Sequence, residues 1–565
     1  MCTVHILPIF SFCSFFRGVS LSTPVASSTV KTTPSVSGNA IVAILGFCGI
    51  VVSLMQTLVV PIIPQLPHLI SASPADASWA VTATLLAAAV VTPISGRLGD
   101  MFGKKKVLVI SLGLVVAGSV VCAFADSLIP LIVGRSLQGA SVGVIPLGIS
   151  ILRDELPPRK VAGAMAIVSA TLGVGGAIGL PIAAAVAQVA DWHVLFWMSA
   201  GLGLVCAALA AAVIPESSVR NPGRFDFVGA IGLSAALILF LLPITKGGTW
   251  GWSDPLTLGL LAGSLVLFLA WGFLQLRTAR PLVDLRVSAR PHVLFTNLAS
   301  IAIGFSMYGN SLTLPQLLMA PESTGYGLGL SMVTAGLALA PGGMVMMALS
   351  PVSAKISAWR GPRFTLMVGS VVVGLGYTFV YFLSSSVWMI VVGGMIIGAG
   401  VGLSYSSMPA LIIGAVPVSE TAAANGLNSL MRSIGTSSAA AVISVVLASM
   451  TVTLGTATIP SFDAFRATFV IAIVAALVSL AFAFLIPKGP PGGRRDAAPL
   501  TAVRIRGRPA TGDPVAGLRG SRGVLLLAAA RGPVRGTQVQ VRSDRVEQVD
   551  EEIHESLRVV AVSDR

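Results

Sequence analysis

The sequence predicts an all-α integral membrane protein with fourteen transmembrane helices, arranged as two six-helix pseudo-repeats with two extra central helices. Three observations predict this fold: the composition, the spacing of the apolar segments and an internal repeat. Of the 565 residues, 55% are hydrophobic and only 10% are charged, whereas soluble domains carry about 25% charged residues. A chain this apolar is not expected to be a soluble enzyme. Its aromatic content of 6% also disfavours a surface that stacks on nucleic-acid bases.

Fourteen apolar segments have the length of about 20 residues that a membrane-spanning helix needs. They are predicted at residues 40–63, 77–96, 106–125, 128–150, 162–186, 193–214, 226–245, 256–275, 292–316, 329–350, 364–383, 387–413, 426–449 and 467–487. The predicted domains are a flexible N-terminal segment (1–38), a first six-helix half (39–214), a two-helix insertion (215–285), a second six-helix half (286–487) and a mostly disordered cytoplasmic tail (488–565).

The basic residues between these segments predict the orientation of the chain. With the N-terminus inside, the inside loops hold sixteen Lys and Arg residues and the outside loops hold two. Cytoplasmic loops carry such an excess of positive charge. We therefore expect a multi-pass protein of the plasma membrane with both termini in the cytoplasm. The basic loops on the cytoplasmic side then account for the net charge of +14. Binding to nucleic acid is not needed to explain it.

An internal repeat relates the two halves. The loop from Gly96 to Leu108 aligns without gaps to the segment from Ala354 to Leu366, at an offset of 258 residues. The segment 139–143 aligns to 398–402 at an offset of 259. Paired halves of this kind are a transporter architecture, with the binding site between the halves near the middle of the bilayer.

Two motifs resemble a known family. The residues from Gly96 to Lys105 read GRLGDMFGKK and are similar to the loop signature G-x-L-x-D-x-x-G-[RK]-[RK] of the major facilitator superfamily. The residues RSLQG from Arg135, followed by Gly143, resemble the signature of that superfamily's fourth span. Fourteen spans place the chain nearest the drug:proton antiporters of this superfamily.

This resemblance implies a gating loop made by Gly96, Asp100, Gly103, Lys104 and Lys105. It implies that Asp100 acts as a latch between the two halves when the inner gate is closed. The alternative is a loop that only sets topology and holds an ordinary helix cap.

The resemblance also implies that Arg135 takes part in energy coupling. Arg135 lies about 10 Å below the outer surface at 1.5 Å per residue, and a charge at such a depth generally marks function. Gln138 lies one turn away on the same face, and Gln56 in the first span is a further candidate for the coupling or substrate site. A purely structural arginine is the alternative.

Other small and polar residues predict how the helices pack. Close helix packing is predicted at a set of small residues and one proline, as in other membrane helices: Gly139, Gly143, Gly175, Gly179 and Pro181. In span 13, Asn425, Asn428 and Arg432 form a polar stripe at helical spacing. The stripe is interpreted either as interhelical hydrogen bonding or as a lining of the inner gate. Span 9 is also polar and is expected to face a cavity or another helix.

The sequence departs from the antiporter pattern in the first span. Met55 stands where the family usually carries Asp, and no Asp or Glu is predicted in mid-membrane. Asp226, His193 and His292 are weak candidates for a group that carries a proton. Because Arg135 and Met55 are predicted at similar depth, an anionic substrate is one candidate for the missing partner of Arg135.

The function predicted from the sequence is secondary active transport by alternating access, with export of drugs or other small amphipathic compounds and protons as a candidate coupling ion. An uncoupled carrier or an importer of an anionic metabolite is an alternative. A membrane-embedded sensor with the tail as its output domain is an alternative from another class. No enzymatic activity, cofactor or metal site is expected. The expected partners are a small-molecule substrate and the lipid bilayer, and the chain is expected to be a monomer.

Overall fold

The computed structural model describes residues 37–488, except 60, 61, 63, 64, 218, 455 and 456, together with 522–523 and 561–562. The predicted flexible segment 1–38 and tail 488–565 therefore lie almost entirely outside the described residues. The first group of helices comprises α1 (Gly38–Thr57), α2 (Leu66–Leu69), α3 (Pro74–Ala77), α4 (Trp79–Phe102), α5 (Lys104–Ala123), α6 (Leu128–Ala140), α7 (Val144–Glu155), α8 (Pro158–Val189) and α9 (His193–Val213).

Two long helices follow, and then the second group. These helices are α10 (Phe227–Trp250), α11 (Pro255–Arg277), α12 (Leu285–Ser288), α13 (Pro291–Met319), α14 (Met332–Ala348), α15 (Ser350–Arg360), α16 (Pro362–Phe382), α17 (Val387–Ala415), α18 (Thr421–Ser449) and α19 (Phe462–Leu485). Short 3-10 turns lie at Ser141–Gly143, Glu322–Thr324 and Val418–Glu420.

The helical fold is confirmed, with one addition that the sequence did not predict. The strands β1 (Thr451–Leu454) and β2 (Ala457–Pro460) form an antiparallel hairpin between α18 and α19. A second pair joins β3 (Arg522–Gly523) to β4 (Ala561–Val562). Each strand has four residues or fewer, so the β structure does not change the fold class.

Thirteen segments within the described residues are long and apolar enough to cross a membrane. Three of these spans are composite. The helix α6 continues through the turn at 141–143 into α7, α14 continues into α15, and the turn at 418–420 continues into α18. The ninth predicted span corresponds to α13, a helix of 29 residues that is absent from that set. Its buried polar side chains, which include Thr296, Asn297 and Ser300, lower its apolar character. A total of fourteen spans therefore stays a prediction.

The long helices bury apolar residues in two main cores. One core is built by α1 to α9 and the other by α13 to α19. The pair α10 and α11 has a smaller core of its own, which includes Ala89 of α4 and Leu430 of α18. The two extra helices thus lie along the outside of the seam between the two main groups.

The two groups meet along α4 with α18 and along α8 with α14. Equivalent glycines make close helix contacts in each group. A Cβ on Gly139 would clash with the backbone of Thr84 in α4, and a Cβ on Gly398 would clash with the backbone of Gly342 in α14. Thr84 and Gly342 are themselves 258 residues apart. The packing therefore follows the same repeat as the sequence.

The turn glycines also correspond between the groups. Gly103, between α4 and α5, has φ +116°, and Gly361, between α15 and α16, has φ +86°. Side chains other than hydrogen are disfavoured at such values. The predicted loop from Gly96 to Lys105 needs correction, because α4 extends to Phe102 and α5 begins at Lys104. Of the residues from Gly96 to Lys105, only Gly103 is outside a helix.

Candidate functional site

The end of the bundle that carries the turns at Gly103 and Gly361, here called the basic end, is closed by hydrogen bonds between the two groups. Asp100 is fully buried in the last turn of α4. Its carboxylate accepts hydrogen bonds from the backbone N–H groups of Ala422 (3.2 Å) and Ala423 (2.8 Å). These amides begin α18, where the helix dipole favours a negative charge. The geometry is that of a latch, and its action during transport stays a prediction.

Lys104 is buried in an ion-pair cluster behind this contact. Its Nζ lies 2.6 Å from Asp154 Oδ2 and 3.7 Å from Asp100 Oδ1. The backbone N–H of Lys105 donates to Glu216 at 3.2 Å. The cluster joins α4, α5 and α7 with the segment that leads to α10, so Asp100 contacts its own half as well as the other half.

Gly96 belongs to the same closure. It was predicted in a loop, but it lies in a helix. It lies within α4, and a Cβ there would clash with the backbone carbonyl of Ala422. Arg153 adds a side-chain contact by donating from Nη1 to Thr421 Oγ1 at 3.1 Å. The helices α4 and α18 thus touch backbone to backbone at the basic end.

A cavity of about 340 Å³ lies between the two groups of helices, beyond this closure. Its walls come mainly from α1, α4, α6 and α8 on one side and from α13, α14, α17 and α18 on the other. Gln56 and Pro315 lie near the ends of α1 and α13 that face away from the basic end, and both line the cavity. The cavity therefore occupies the half of the bundle farthest from the basic end.

The cavity lining is mostly apolar. It includes Leu85, Ile145, Met307, Leu339 and Met346 together with several glycines. Among the described residues that line it, none is Asp, Glu or His. Pockets with an apolar lining and few polar groups suit amphipathic small molecules.

Arg135 is the charged group on the α6 wall of this cavity. Its side chain is 1% exposed. Nε donates to the carbonyl of Ala80 at 3.0 Å, and Nη1 donates to the carbonyl of Met55 at 3.2 Å and to Gln138 Oε1 at 2.7 Å. The structure therefore places Arg135 in contact with the backbone of Met55, as expected for two residues at similar depth. The hydrogen bonds described for Arg135 go to Gln138 and backbone carbonyls, and none goes to Gln56.

Arg432 is the charged group on the α18 wall, on the other side of the cavity. Its Nη1 donates to Asn428 Oδ1 at 3.0 Å and its Nη2 to Ser429 Oγ at 3.2 Å, and its guanidinium lies 5.1 Å from the centre of the Tyr405 ring. This arrangement positions a second buried cation in the cavity.

The polar stripe of α18 has two uses. Asn428 Nδ2 donates to Asn297 Oδ1 (2.9 Å) and Ser300 Oγ (2.7 Å) of α13, so this part forms interhelical hydrogen bonds. Asn425 is also buried and donates to the carbonyl of Thr421 within its own helix. Farther along α18, Arg432 lines the cavity. The stripe thus contributes interhelical hydrogen bonds and one cavity-lining residue, and its role as a lining of the inner gate stays a prediction.

The predicted packing glycines bring α8 against α1. A Cβ on Gly175 would clash with the carbonyl of Ile50, and a Cβ on Gly179 with the hydroxyl of Thr57. Pro181 lies inside an unbroken α8. The contacts fix the wall of the cavity formed by α1 and α8.

Gly143 makes a similar contact between the α6–α7 turn and α4. A Cβ there would clash with the hydroxyl of Ser95.

The weak candidates for a proton carrier do not belong to the cavity. Asp226 caps α10, His193 begins α9, and His292 lies in the first turn of α13.

Several residues of the site were not predicted from the sequence. Asp154, the partner of Lys104, is 50 residues away along the chain, and no pattern relates the two. Tyr405 and the apolar cavity walls formed by α14 and α17 were not predicted either, because their residue types are those of any membrane-spanning helix. The polar character of α13 was the one available signal, and its Tyr308 and Asn310 do line the cavity.

Comparison with known proteins settles the family. The family model described as the Major Facilitator Superfamily matches residues 45–440 and 296–532. The chain belongs to the major facilitator superfamily. The proteins of this superfamily are transporters rather than enzymes, and the described helices have its multi-pass arrangement.

Relatives of this transporter include named exporters. The chain is 26% identical over 414 residues to the tetracenomycin C resistance and export protein of Streptomyces glaucescens, covering 70% of this chain and 74% of that protein. It is 26% identical over 381 residues to a multidrug resistance protein B homolog of Mycobacterium tuberculosis, covering 66% and 69%. It is 28% identical over 328 residues to an uncharacterized MFS-type transporter of Mycobacterium tuberculosis, covering 56% of this chain but only 47% of that relative.

Solved structures share the fold of this transporter. The human organic anion transporter MFSD10 is 14% identical with a TM-score of 0.57, over 80% of this chain and 100% of that one. The proton:xylose symporter XylE is 11% identical with a TM-score of 0.55, over 78% and 94%. At these identities the likeness concerns the fold alone.

Proposed function

We propose that this transporter exports amphipathic organic compounds from the cytoplasm across the plasma membrane by alternating access. The observation that carries the proposal is the cavity between the two groups of helices, with a mostly apolar lining and a few buried polar groups. A site of this kind gains affinity from apolar burial and is tolerant of shape. The relatives named for tetracenomycin C export and for multidrug resistance support the same proposal.

The orientation in this proposal follows from the charged loops. The basic end faces the cytoplasm, as the excess of Lys and Arg in its loops indicates. Since Asp100 and α18 close that end, the described conformation has its cavity on the extracytoplasmic side of the gate. Exchange of the closure between the two ends would carry a bound compound outward.

Proton coupling, which the resemblance to drug:proton antiporters implies, has no carrier in the cavity. Among the described lining residues no side chain is Asp, Glu or His. We therefore assign no proton carrier to the cavity lining. The monomeric state likewise stays a prediction.

The experiment is dye transport by the purified full chain in liposomes, with a variant that fills the cavity. Gly176 lines the cavity, and the nearest atoms to a Cβ built there are 3.9 and 4.0 Å away. A Cβ at this position therefore makes only ordinary van der Waals contacts, and we expect the indole of Gly176→Trp to occupy part of the cavity. Gly201 of α9 is exposed and has no atoms within 4 Å of its Cβ position, so Gly201→Trp is a matched control.

We expect Gly176→Trp to reduce the rate of amphipathic dye transport at least about tenfold and Gly201→Trp to leave it near wild type. Fluorescein and rhodamine 123 serve as the dyes, because both are amphipathic. If the wild-type chain moves neither dye, or if Gly176→Trp transports both at the wild-type rate, the proposed function is wrong.

A further inference from the structure

The cavity contains two buried cations and no described anion. Arg135 is 1% exposed and Arg432 is 8% exposed, and both line the cavity. Among the described residues, the salt bridges involve Lys104 and His193 and neither of these arginines. Their charges are therefore not neutralised by a described carboxylate.

The hydrogen-bond partners of both arginines are neutral. Arg135 donates to two backbone carbonyls and to the amide of Gln138. Arg432 donates to Asn428 and Ser429. In the described part of the chain, Nη2 of Arg135 and Nε of Arg432 have no hydrogen-bond partner. Each guanidinium thus keeps donors in addition to its charge.

A buried cation without a counter-charge is costly in a membrane protein. Arginine presents its donors as a planar fork that matches the oxygens of a carboxylate, sulfonate or phosphate. An anion that entered the cavity would supply both the missing charge and the missing acceptors. A cation would meet two like charges in a site of low dielectric.

We infer that Arg135 and Arg432 form an anion-selecting pair, and that the preferred substrates of this transporter are amphipathic organic anions. This inference rests on the proposed function and names its substrate class. The acidic group of the substrate binds between the α6 wall and the α18 wall, and its apolar body lies against the apolar lining. One arginine belongs to each half, so the cavity presents a buried cation on each of its two sides.

The test is equilibrium binding and transport of two dyes that share a xanthene ring system and differ in charge. Fluorescein is anionic at pH 8, and rhodamine 123 is cationic. Fluorescence anisotropy of each dye with the purified full chain gives the affinity, and liposomes give the rate. We expect wild type to bind and move fluorescein at least about tenfold better than rhodamine 123.

The variants are Arg432→Gln and Arg135→Gln, with Arg432→Lys to restore the charge. Each Gln variant should weaken fluorescein binding at least about tenfold and leave rhodamine 123 binding unchanged or stronger. Arg432→Lys should recover most of the fluorescein affinity. Arg466→Gln is the matched control, because Arg466 packs on Tyr381 and Phe462 outside the cavity.

The outcomes separate the two proposals. If wild type prefers rhodamine 123, or if the Gln variants weaken both dyes equally, the anion inference is wrong and the arginines are structural. If fluorescein binds through the arginines but neither dye crosses the liposome membrane, the anion site stands and the proposed function fails. If the Arg135→Gln variant does not fold, the test still stands, because Arg432→Gln and Arg432→Lys decide it independently.

Discussion

The contact of Asp100 with the start of α18 predicts how the gate responds to the loss of one charge. Asp100→Asn keeps the size of the side chain and removes its negative charge. The variant can still accept one hydrogen bond, but its amide nitrogen faces the second backbone N–H of Ala422 or Ala423. The latch is therefore weakened while the packing around it is kept.

The magnitude follows from the two hydrogen bonds and the helix dipole. A hydrogen bond to a charged group contributes about 1.5–3 kcal/mol, and a charge at a helix N-terminus contributes about 0.3–1 kcal/mol. Loss of one bond and of the dipole term costs about 2–4 kcal/mol. At 1.4 kcal/mol per tenfold, the equilibrium moves about 25- to 700-fold toward the state in which the basic end is open.

The assay is a distance measurement between spin labels on either side of the gate. Cysteines at Arg159, exposed at the start of α8, and at Val418, 45% exposed before α18, lie on opposite halves. In Asp100→Asn we expect the label distribution to shift to longer distances and transport to slow. The matched control is Asp126→Asn, whose side chain is 93% exposed.

Two results would refute the reasoning. One is an unchanged distance distribution in Asp100→Asn protein that is fully inserted. The other is an equal shift in Asp126→Asn, because that would trace the effect to net charge and not to the latch.

Three further predictions follow from the same contacts. Met55→Asp adds a carboxylate at a residue whose backbone carbonyl already accepts a hydrogen bond from Arg135, so the fluorescein affinity at pH 8 should weaken; an unchanged preference for fluorescein over rhodamine 123 would contradict it. Cysteines along α10 and α11 should not be protected from labelling by fluorescein, because none of their residues lines the cavity; protection at several positions would make these helices part of the site. Asp226→Ala removes the cap of α10 and the acceptor for Gln275 and for the N–H of Leu282, which should cost about 2–4 kcal/mol and lower the thermal unfolding temperature while fluorescein affinity stays at the wild-type value.

The membrane fold could be predicted because its signals are local. Length and hydropathy mark each helix without knowledge of its neighbours, and the offset of 258 residues revealed the repeat. Counting residues along α1 and along the fourth predicted span gave Met55 and Arg135 a similar depth. In the structure Arg135 Nη1 donates to the backbone carbonyl of Met55 at 3.2 Å. Such arguments need only the rise per residue of a helix.

The partners within the site could not be predicted, because they depend on tertiary packing. Asp100 binds amides 322 and 323 residues away, and Lys104 pairs with Asp154 through the packing of α5 on α7. The gating segment was expected to be a loop, since its charges resemble those of a loop. In the structure α4 and α5 extend through the segment, and its buried charges Asp100 and Lys104 are paired.

The most direct test of the central claim is movement of fluorescein in liposomes under an imposed membrane potential. One elementary charge moving through 100 mV gains about 2.3 kcal/mol, so a carried anion is drawn to the positive side. With the full chain as the sole protein and valinomycin with potassium setting the potential, we predict fluorescein accumulation in a positive lumen and its loss in Arg432→Gln. Transport of organic anions through this cavity would be contradicted if the fluorescein concentration in the lumen did not depend on the membrane potential. It would also be contradicted if Arg432→Gln accumulated as much fluorescein as the wild type.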